Sequence, residues 1–529
     1  MSLHENMLRK TLQSDPQSRR WFLNVMGSVS ALSVAAGELR AGVPARLSAD
    51  PFTLGVASGD PDEKSVVLWT RLAPEPLQPG GGMPPEFVDV RCEIATDDAM
   101  KNVVQSRTIA ATPQLGHSVH VEMEGLEPDR WYWYRFRCGD AESPVGRTRT
   151  MPRAEALPPH VRFAVTSCQN YEQGLFTAYE QMAKDDPDLV FHLGDYIYEY
   201  EAGRNGKVRT HLGKEIVGLD DYRIRYAQYR SDPALRQMHA QCPWMVTWDD
   251  HEFDNNCAGA VSEELDVDPV EYLVRRANAY QAYYEMMPLR PSQMPRNCDM
   301  ELYRKVSFGR LADFLMLDTR QYRSDQPNND RKSPLNDAAL DTRQTMLGAE
   351  QKGWLYQNLI RSTSCWNVLA QQVMMGMVNR SGDPEDLQYS MDQWPGYAYE
   401  RMRLVEFLRD RHVSNPVVLT GDIHTNWANE LRVDDRREDE PTVATEFVAT
   451  SLTSGGNGVD RPGNWEAVVS TNPCVKFHNA ERGYIRCEVT PQAWRSDYMV
   501  ISDVLQPGGE TTVRRSLVVE SGKARIQEA

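Results

Sequence analysis

Four short apolar segments of the chain each lead into residues that can bind a metal ion. The segments are 161–167, 188–194, 244–248 and 416–421. The polar residues that follow them include Cys168, Asp195, Asp250, Asp422 and His424. Continuous apolar runs of this length are typical of buried strands in an α/β fold. Because ligands bind beyond the carboxyl ends of strands in open α/β sheets, we expect these four remote loops to meet at one site.

Helical segments and one long loop occupy the sequence between these strands. The residue pattern predicts a helix at 175–184 and a single long helix at about 221–239. The segment 323–348 is polar and rich in Asn, Asp and Pro, so we predict a loop there. A chain of 529 residues exceeds the size of one hydrophobic core, and we therefore expect two domains.

The first domain has the pattern of a β-sandwich. From about Pro51, short alternating segments recur at intervals of roughly ten residues with turn residues between them. An L-x-P turn before alternating aromatic residues at 126–136 resembles the corner of a fibronectin-type sandwich, where a Tyr hydroxyl ties the turn to the strand. Cys92 and Cys138 lie in predicted strands, either as buried thiols or as a disulfide. Prolines near 152–159 mark a linker. The predicted domains are thus 46–152 and 160–529.

The N-terminal segment resembles an export signal. The sequence S-R-R-W-F-L at 18–23 precedes a short, mildly apolar run rich in Gly, Ser and Ala, which is the pattern of a twin-arginine signal. We assign 1–45 to this signal and its linker. The expected partner is the twin-arginine export machinery, and the expected location is periplasmic or secreted. No later segment approaches about 18 consecutive apolar residues, so we predict no transmembrane segment in the mature protein.

The charge of the chain argues against nucleic acid as a partner. The net charge is −17, and the sequence has no long run of Lys or Arg. Such a chain lacks the broad basic surface that binds a phosphate backbone. We therefore predict no stable nucleic-acid complex, although bound metal ions can still attract a small phosphate ester.

The donors at the strand ends predict two unlike metal ions. Asp195 lies in G-D-Y-I-Y, where its two oxygens can bridge two metals and Tyr198 follows three residues later. A phenol ionises at about pH 10, so a phenolate ligand at neutral pH indicates a trivalent ion such as Fe(III). Cys168 would supply a soft thiolate and His424 an imidazole nitrogen to the same ion.

Two further acids supply hard oxygen ligands. Asp250 and Asp422 suit Ca²⁺, Mg²⁺ or Mn²⁺. Each motif alone has an ordinary explanation, such as a turn, a buried strand-end Cys or a helix cap, and the combination favours a metal site.

Two alternatives to a metal-dependent enzyme stay open. One is a hydrolase that uses Cys168 as its nucleophile with a histidine base, and the other is a non-enzymatic exported binding protein.

Five short motifs of the large domain match one family in combination. They are S-C-Q-N at 167–170, G-D-Y-I-Y-E at 194–199, W-D-D-H-E-F-D-N-N at 248–256, L-D-T-R-Q-Y-R at 317–323 and G-D-I-H at 421–424. Their combination resembles the PhoD-type alkaline phosphatases of the metallophosphoesterase superfamily. The resemblance implies an α/β fold, a metallophosphoesterase-like αββα sandwich that follows an N-terminal fibronectin-like β-sandwich.

The resemblance also implies the ligands of both metals. The implied Fe(III) ligands are Cys168, Asp195, Tyr198 and His424. The implied Ca(II) ligands are Asp195, Asp250 and Asp422, with Asn255 near the second metal or the substrate. The usual superfamily sequence G-N-H-E is D-D-H-E at 249–252, so an Asp replaces the expected Asn. That replacement favours a harder divalent ion, and Mg²⁺, Mn²⁺ and Zn²⁺ are the alternatives to Ca²⁺.

These residues predict an exported metal-dependent phosphoesterase. The expected reaction is hydrolysis of phosphate monoesters, diesters or both by attack of a metal-bound hydroxide. His251, next to Asp250, is the candidate to stabilise the transition state or protonate the leaving alcohol. Arg320 and Arg323 follow the apolar strand at 314–317 and are candidates to bind phosphate oxygens, because a guanidinium is a planar bidentate donor. Structural salt bridges are the alternative role for both arginines.

Overall fold

Two large β-sheets pack face to face in the main part of the molecule, and helices cover both outer faces. The computed structural model describes residues 49–206, 208–264 and 267–529. The predicted export signal at 1–45 lies outside these residues. The layers are those of the αββα sandwich expected from the sequence, and a smaller β-sandwich precedes them.

Strands outnumber helices among the described residues. The strands are β1 (Val56–Gly59), β2 (Ser65–Arg71), β3 (Val88–Ala95), β4 (Val103–Ala111), β5 (Ser118–Glu124), β6 (Trp131–Cys138), β7 (Ala141–Glu142), β8 (Gly146–Arg149), β9 (Val161–Thr166), β10 (Leu189–Leu193), β11 (Trp244–Thr247), β12 (Arg304–Phe308), β13 (Ala312–Met316), β14 (Trp366–Ala370), β15 (Pro416–Thr420), β16 (Asn426–Leu431), β17 (Ala444–Val448), β18 (Gly458–Val459), β19 (Val475–Glu481), β20 (Gly483–Val489), β21 (Ala493–Ile501), β22 (Thr511–Glu520) and β23 (Ile526–Glu528). The α-helices are α1 (Thr177–Asp185), α2 (Leu219–Arg230), α3 (Pro233–Gln241), α4 (Pro269–Met286), α5 (Gly348–Arg361), α6 (Ala398–Asp410) and α7 (Trp465–Thr471).

Parallel strands form the centre of both large sheets. The first sheet has the order β23-β22-β21-β20-β9-β10-β11-β1-β2-β5, and β9, β10 and β11 are parallel. The second sheet has the order β12-β13-β14-β15-β17-β16-β19-β18, and β13, β14, β15 and β17 are parallel. The loops after β9, β10, β11 and β15 therefore leave their sheets at carboxyl ends, where ligand sites of such sheets lie.

Successive side chains of each central strand enter different cores, as the pleat of a strand requires. In β9, Phe163 and Val165 belong to the core between the sheets, whereas Ala164 belongs to the core under helices α1 to α4. In β14, Val368 belongs to the intersheet core and Leu369 to the core under α5 and α6. Burial of both faces explains why these strands are continuous apolar runs in the sequence.

The N-terminal region forms the predicted β-sandwich. Strands β1, β2 and β5 face a second sheet of β4, β3, β6, β7 and β8, and side chains such as Leu68 and Tyr132 share the core between them. Strand β1 also pairs in parallel with β11, so the sandwich continues the first large sheet. The domain limits at 152 and 160 stay predictions. Cys92 and Cys138 are free, buried thiols and do not form the disulfide that was the alternative.

The prediction of one long helix at about 221–239 is wrong. Helix α2 ends at Arg230, and α3 begins at Pro233. Proline lacks the amide hydrogen of a helix interior and its ring clashes with the preceding turn, so the chain restarts there. The Asp232 side chain caps the new helix by accepting the backbone N–H of Ala234 at 3.0 Å and of Leu235 at 3.3 Å.

The predicted loop at 323–348 is confirmed. Between β13 and α5 the chain forms one 3-10 turn, Pro327–Asp330, and no strand or α-helix. None of the helices in the described ranges is long and apolar enough to cross a lipid bilayer.

The predicted tyrosine corner provides a test of the N-terminal sandwich. The backbone N–H of Glu127 donates to the hydroxyl of Tyr132 at 2.9 Å. Tyr132→Phe should lower the free energy of unfolding by about 1 kcal/mol, because the amide loses its acceptor. Urea denaturation followed by fluorescence measures this change. The matched control is Tyr134→Phe on the same strand, whose hydroxyl accepts no backbone N–H among the described residues. Equal stability of the wild type and Tyr132→Phe would contradict a stabilising corner.

Candidate metal centre

Four of the predicted ligand residues have a left-handed backbone. The φ angles are 57° at Cys168, 56° at Asp195, 64° at Asp422 and 57° at His424. Side chains other than glycine rarely adopt this conformation, and it is frequent at functional sites. Here it turns the chain sharply after β9, β10 and β15, so that each side chain faces the space between the loops.

Gly194 allows two of these loops to approach closely. Its φ is 105°, and a Cβ atom at this position would lie 2.3 Å from the Cβ of Asp249. The backbone N–H of Cys168 donates to the Gly194 carbonyl at 3.1 Å, which ties the β9 loop to the β10 loop. The glycine of the G-D motif is therefore required by the contact between strand ends.

The structure brings a thiol, a carboxylate, a phenol and an imidazole together. Ligand atoms of Cys168, Asp195 and His424 all lie within 4.8 Å of one another. The Tyr198 hydroxyl donates to Oδ2 of Asp195 at 2.8 Å and lies 3.1 Å from Nε2 of His424. It also lies 2.7 Å from the hydroxyl of Ser454, a residue that the sequence analysis missed. These distances place all four residues predicted to bind iron around one point.

The protein environment alone disfavours ionisation of two of these groups. Burial, followed by repulsion from Asp195, raises the pKa of the Cys168 thiol well above its usual value. Burial and the same carboxylate also raise the pKa of the Tyr198 hydroxyl. An activated nucleophilic cysteine has the opposite character, with an exposed thiol of lowered pKa. The environment of Cys168 therefore suits a ligand whose thiolate is stabilised by a bound cation.

A second group of carboxylates adjoins the first. Oxygen atoms of Asp249, Asp250 and Asp422 lie within 4.8 Å of one another, and Asp195, Asp250 and His251 form an overlapping group. Burial raises the pKa of Asp422 to about 7. One oxygen each of Asp195, Asp249 and Asp250 is buried without a hydrogen-bond partner among the described residues. Buried carboxylate oxygens that accept no hydrogen bond fit cation ligation.

Arg320 lies inside this acidic group with every nitrogen engaged. Its Nε contacts Asp249. Its Nη1 donates to the two oxygens of Asp392 at 2.9 and 3.1 Å. Its Nη2 donates to Asp422 at 2.9 Å and lies 3.4 Å from Asp250. The guanidinium thus serves as a counter-ion for four acids, and contact with a phosphate would require one of these ion pairs to open.

Arg323 has a similar structural environment. Its Nη2 donates to Asp392 at 2.7 Å, and its Nη1 and Nε donate to backbone carbonyls of Asp392 and Cys257 at 2.8 and 3.1 Å. The residue is 3% exposed, so it is held inside the protein. These contacts match the salt-bridge alternative for this arginine.

His251 forms a dyad with a buried acid. Its Nδ1 lies 2.8 Å from Oε2 of Glu199, and its ring centroid lies 4.2 Å from that of Tyr198. Burial opposes the charged imidazole, but the carboxylates of Glu199 and Asp250 raise the pKa of His251 well above its usual value. The dyad fixes the ring and leaves Nε2 for another partner.

Asn255 is the predicted ligand that the structure directs elsewhere. Its side-chain oxygen accepts the Tyr200 hydroxyl at 3.3 Å, and its amide donates to Glu263. The backbone N–H of its neighbour Asn256 instead donates to Asp250, one of the predicted metal ligands, at 2.7 Å. A direct role of Asn255 toward the second metal stays a prediction.

Several supporting residues escaped the sequence analysis. Glu252 accepts the backbone N–H groups of Asp195 at 3.0 Å, of Tyr196, and of Asp249 at 2.8 Å, and it thereby joins two ligand loops. Glu252 and Glu199 both lie within the quoted motifs, one or two residues from predicted site residues, and that position could have identified them. Asp392 and Ser454 lie in loops without a strand-end pattern.

Comparisons with known proteins agree with this geometry. Residues 163–498 match the family model "PhoD-like phosphatase", and residues 37–152 match its N-terminal domain. The chain is 46% identical over 535 residues to alkaline phosphatase D of Bacillus subtilis (strain 168), covering 99% of this chain and 91% of that protein. Over 154 residues it is 29% identical to purple acid phosphatase 23 of Arabidopsis thaliana, which covers 26% of this chain and 31% of that protein.

A solved structure extends the agreement to the fold. The structure titled "Structure of PhoD" superposes with a TM-score of 0.89 at 49% identity, covering 92% of this chain and 93% of that chain. Similarity of sequence and of fold over nearly the whole length confirms the resemblance that the motifs indicated. The chain therefore belongs to the PhoD-like phosphatase family and is a phosphatase.

Proposed function

We propose that the protein is an exported, metal-dependent phosphoesterase that hydrolyses phosphate monoesters, diesters or both. The observation that carries the proposal is the convergence of Cys168, Asp195, Tyr198 and His424 beside the acids Asp250 and Asp422. Thiolate, phenolate and imidazole suit a transition metal, and clustered carboxylates suit a harder divalent ion. A phosphatase with both donor sets in contact has the composition of a two-metal hydrolase.

The proposed metals follow from the donor types. Fe(III) would be held by Cys168, Asp195, Tyr198 and His424, because a strong Lewis acid is needed to ionise a buried phenol. Ca²⁺ would be held by Asp195, Asp250 and Asp422. Mg²⁺, Mn²⁺ and Zn²⁺ remain alternatives for that second position, and Asn255 remains a proposed neighbour of it.

The chain's own residues perform three tasks in this proposal. When bound, the metal pair would supply Lewis acidity to the phosphate oxygens and to the attacking water. His251 would donate a proton from Nε2 to the leaving alcohol, with Glu199 holding Nδ1 and thereby the ring orientation. Arg320 would hold the carboxylates of Asp249, Asp250 and Asp422 in position, and a phosphate contact from Arg320 would compete with these pairs.

Export by the twin-arginine route is a further part of the proposal. Arg19 and Arg20 and the mildly apolar run that follows them support it. This route carries folded proteins, so the metals would be loaded before export. The proposed location is periplasmic or secreted, and the proposed partners are the export machinery and phosphate-ester substrates, with no stable nucleic-acid complex.

Metal removal tests the proposed function. Purified protein should contain iron by elemental analysis and should hydrolyse a chromogenic phosphate monoester, diester or both. After dialysis against a chelator, activity should fall by a factor of about 100 or more, because metal-based charge stabilisation contributes several kcal/mol. Addition of iron and calcium together should restore it. Full activity in protein shown to be metal-free, combined with inactivation by a thiol reagent, would support Cys168 as a nucleophile instead.

Substitution of His251 tests the proton-donor role. His251→Ala should lower kcat by roughly 10²–10⁴-fold, the usual contribution of a general acid, while metal content changes little. The loss should be smaller for 4-nitrophenyl esters than for alkyl esters, because a good leaving group needs little protonation. Steady-state kinetics and elemental analysis on the same samples separate the two effects. Unchanged activity toward alkyl esters would reject this role.

A further inference from the structure

One arginine near the metal centre lacks an anionic partner. Arg380 lies in the loop after β14, and β14 runs parallel to β15 in the second sheet. Because parallel strands direct their following loops to the same edge, this loop lies beside the one that carries Asp422 and His424. Trp427, three residues beyond His424, contacts Arg380, so the arginine lies on that side of the site.

Arg380 is half-buried, and one nitrogen of its guanidinium is left with free hydrogen-bonding capacity. It lies 5.2 Å from the ring centroid of Trp427, within cation–π distance. Its Nη1 atom is buried and has no hydrogen-bond partner in the described part of the chain. Arg320 and Arg323 differ, since their guanidinium groups are paired with Asp392 and other acceptors. A buried donor without an acceptor is costly, which points to an acceptor that arrives with a ligand.

The neighbouring acid does not fill this role. The Asp422 carboxylate accepts from Arg320 at 2.9 Å and from Gln393 at 3.3 Å. Among the described residues, no carboxylate lies within hydrogen-bond distance of Nη1 of Arg380. Burial lowers the pKa of Arg380 and the charge of Asp422 acts against this, so the two side chains interact electrostatically without a bond.

The loop that carries Arg380 is internally fixed. The Arg380 backbone N–H donates to the Gln388 carbonyl at 2.7 Å, and the Gln388 N–H donates to the Asn379 side chain at 2.9 Å. Asn379 is tied in turn to Asn472, because its backbone N–H donates to the Asn472 side chain at 2.7 Å. A fixed loop presents the guanidinium at small entropic cost to an incoming ligand.

We propose that Arg380 is a substrate-binding residue that donates hydrogen bonds to an anionic oxygen of the phosphoryl group undergoing hydrolysis, on the Asp422 side of the metal centre. The proposal rests on the proposed function, since it needs a phosphate ester at that centre. The planar guanidinium matches phosphate oxygens better than a Lys ammonium does. Inorganic phosphate, the product of monoester hydrolysis, presents the same oxygens and should bind to the same residue.

Phosphate binding by Arg380 variants tests the proposal. The variants are Arg380→Gln and Arg380→Lys in the metal-loaded full chain, with Arg147→Gln as the control. Arg147 also stacks on a tryptophan, 4.1 Å from the Trp131 ring, but lies in the N-terminal sandwich. Calorimetry measures the affinity for inorganic phosphate, elemental analysis measures metal content, and kinetics with a chromogenic monoester give KM and kcat.

Arg380→Gln should weaken phosphate binding and raise KM by roughly ten- to a hundredfold, the range for a charged hydrogen bond, with metal content unchanged. The phosphate affinity and KM of Arg380→Lys should lie between those of the wild type and of Arg380→Gln. Arg147→Gln should match the wild type in both. If Arg380→Gln does not fold, Arg380→Lys must still bind phosphate more weakly than the wild type. Wild-type phosphate affinity in a folded Arg380 variant would overturn the proposal. Absence of ester hydrolysis by metal-loaded wild type would instead overturn the proposed function.

Discussion

Repulsion among closely spaced acids is the interaction on which the rest of the site depends. Asp195, Asp249 and Asp250 are buried, and Asp422 adjoins them. Like charges in a region of low dielectric repel strongly, so such a group is stable only with cations among its members or with some members protonated. Arg320 provides one cation from within the chain. In the proposed function two metal ions would provide the rest, and the surrounding loops would hold the acids in place for them.

Backbone strain accompanies this charge concentration. Four predicted ligand residues, including Cys168 and His424, have left-handed φ angles, which cost on the order of 1–3 kcal/mol each. The two packed sheets supply the rigidity that maintains this strain, since their central strands are buried on both faces. Glu252 adds a local restraint by joining the loops of Asp195 and Asp249 through backbone hydrogen bonds. The fold therefore holds these donors in one fixed arrangement.

Strand ends and the family motifs could be predicted because both depend on local sequence. Apolar runs identified the central strands, and the turn before Tyr132 identified the corner of the N-terminal sandwich. The break at Pro233 had a local signal that the helical periodicity obscured. The ion pairs of Arg320 with Asp392 and Asp422 join residues 72 and 102 positions apart, so no local pattern indicates them. Such long-range pairing could not be predicted from the sequence.

The most direct test of the account is the visible absorption spectrum of the purified protein. If Tyr198 is a phenolate ligand of Fe(III), the protein should be coloured by a phenolate-to-iron band, and Tyr198→Phe should abolish that band. Tyr200→Phe is the matched control, because the Tyr200 ring centroid lies 6.3 Å from that of Tyr198 and the Tyr200 hydroxyl contacts Asn255 instead. The band should persist in the Tyr200→Phe variant. A full band in Tyr198→Phe, or iron-loaded wild type without any band, would contradict the proposed centre.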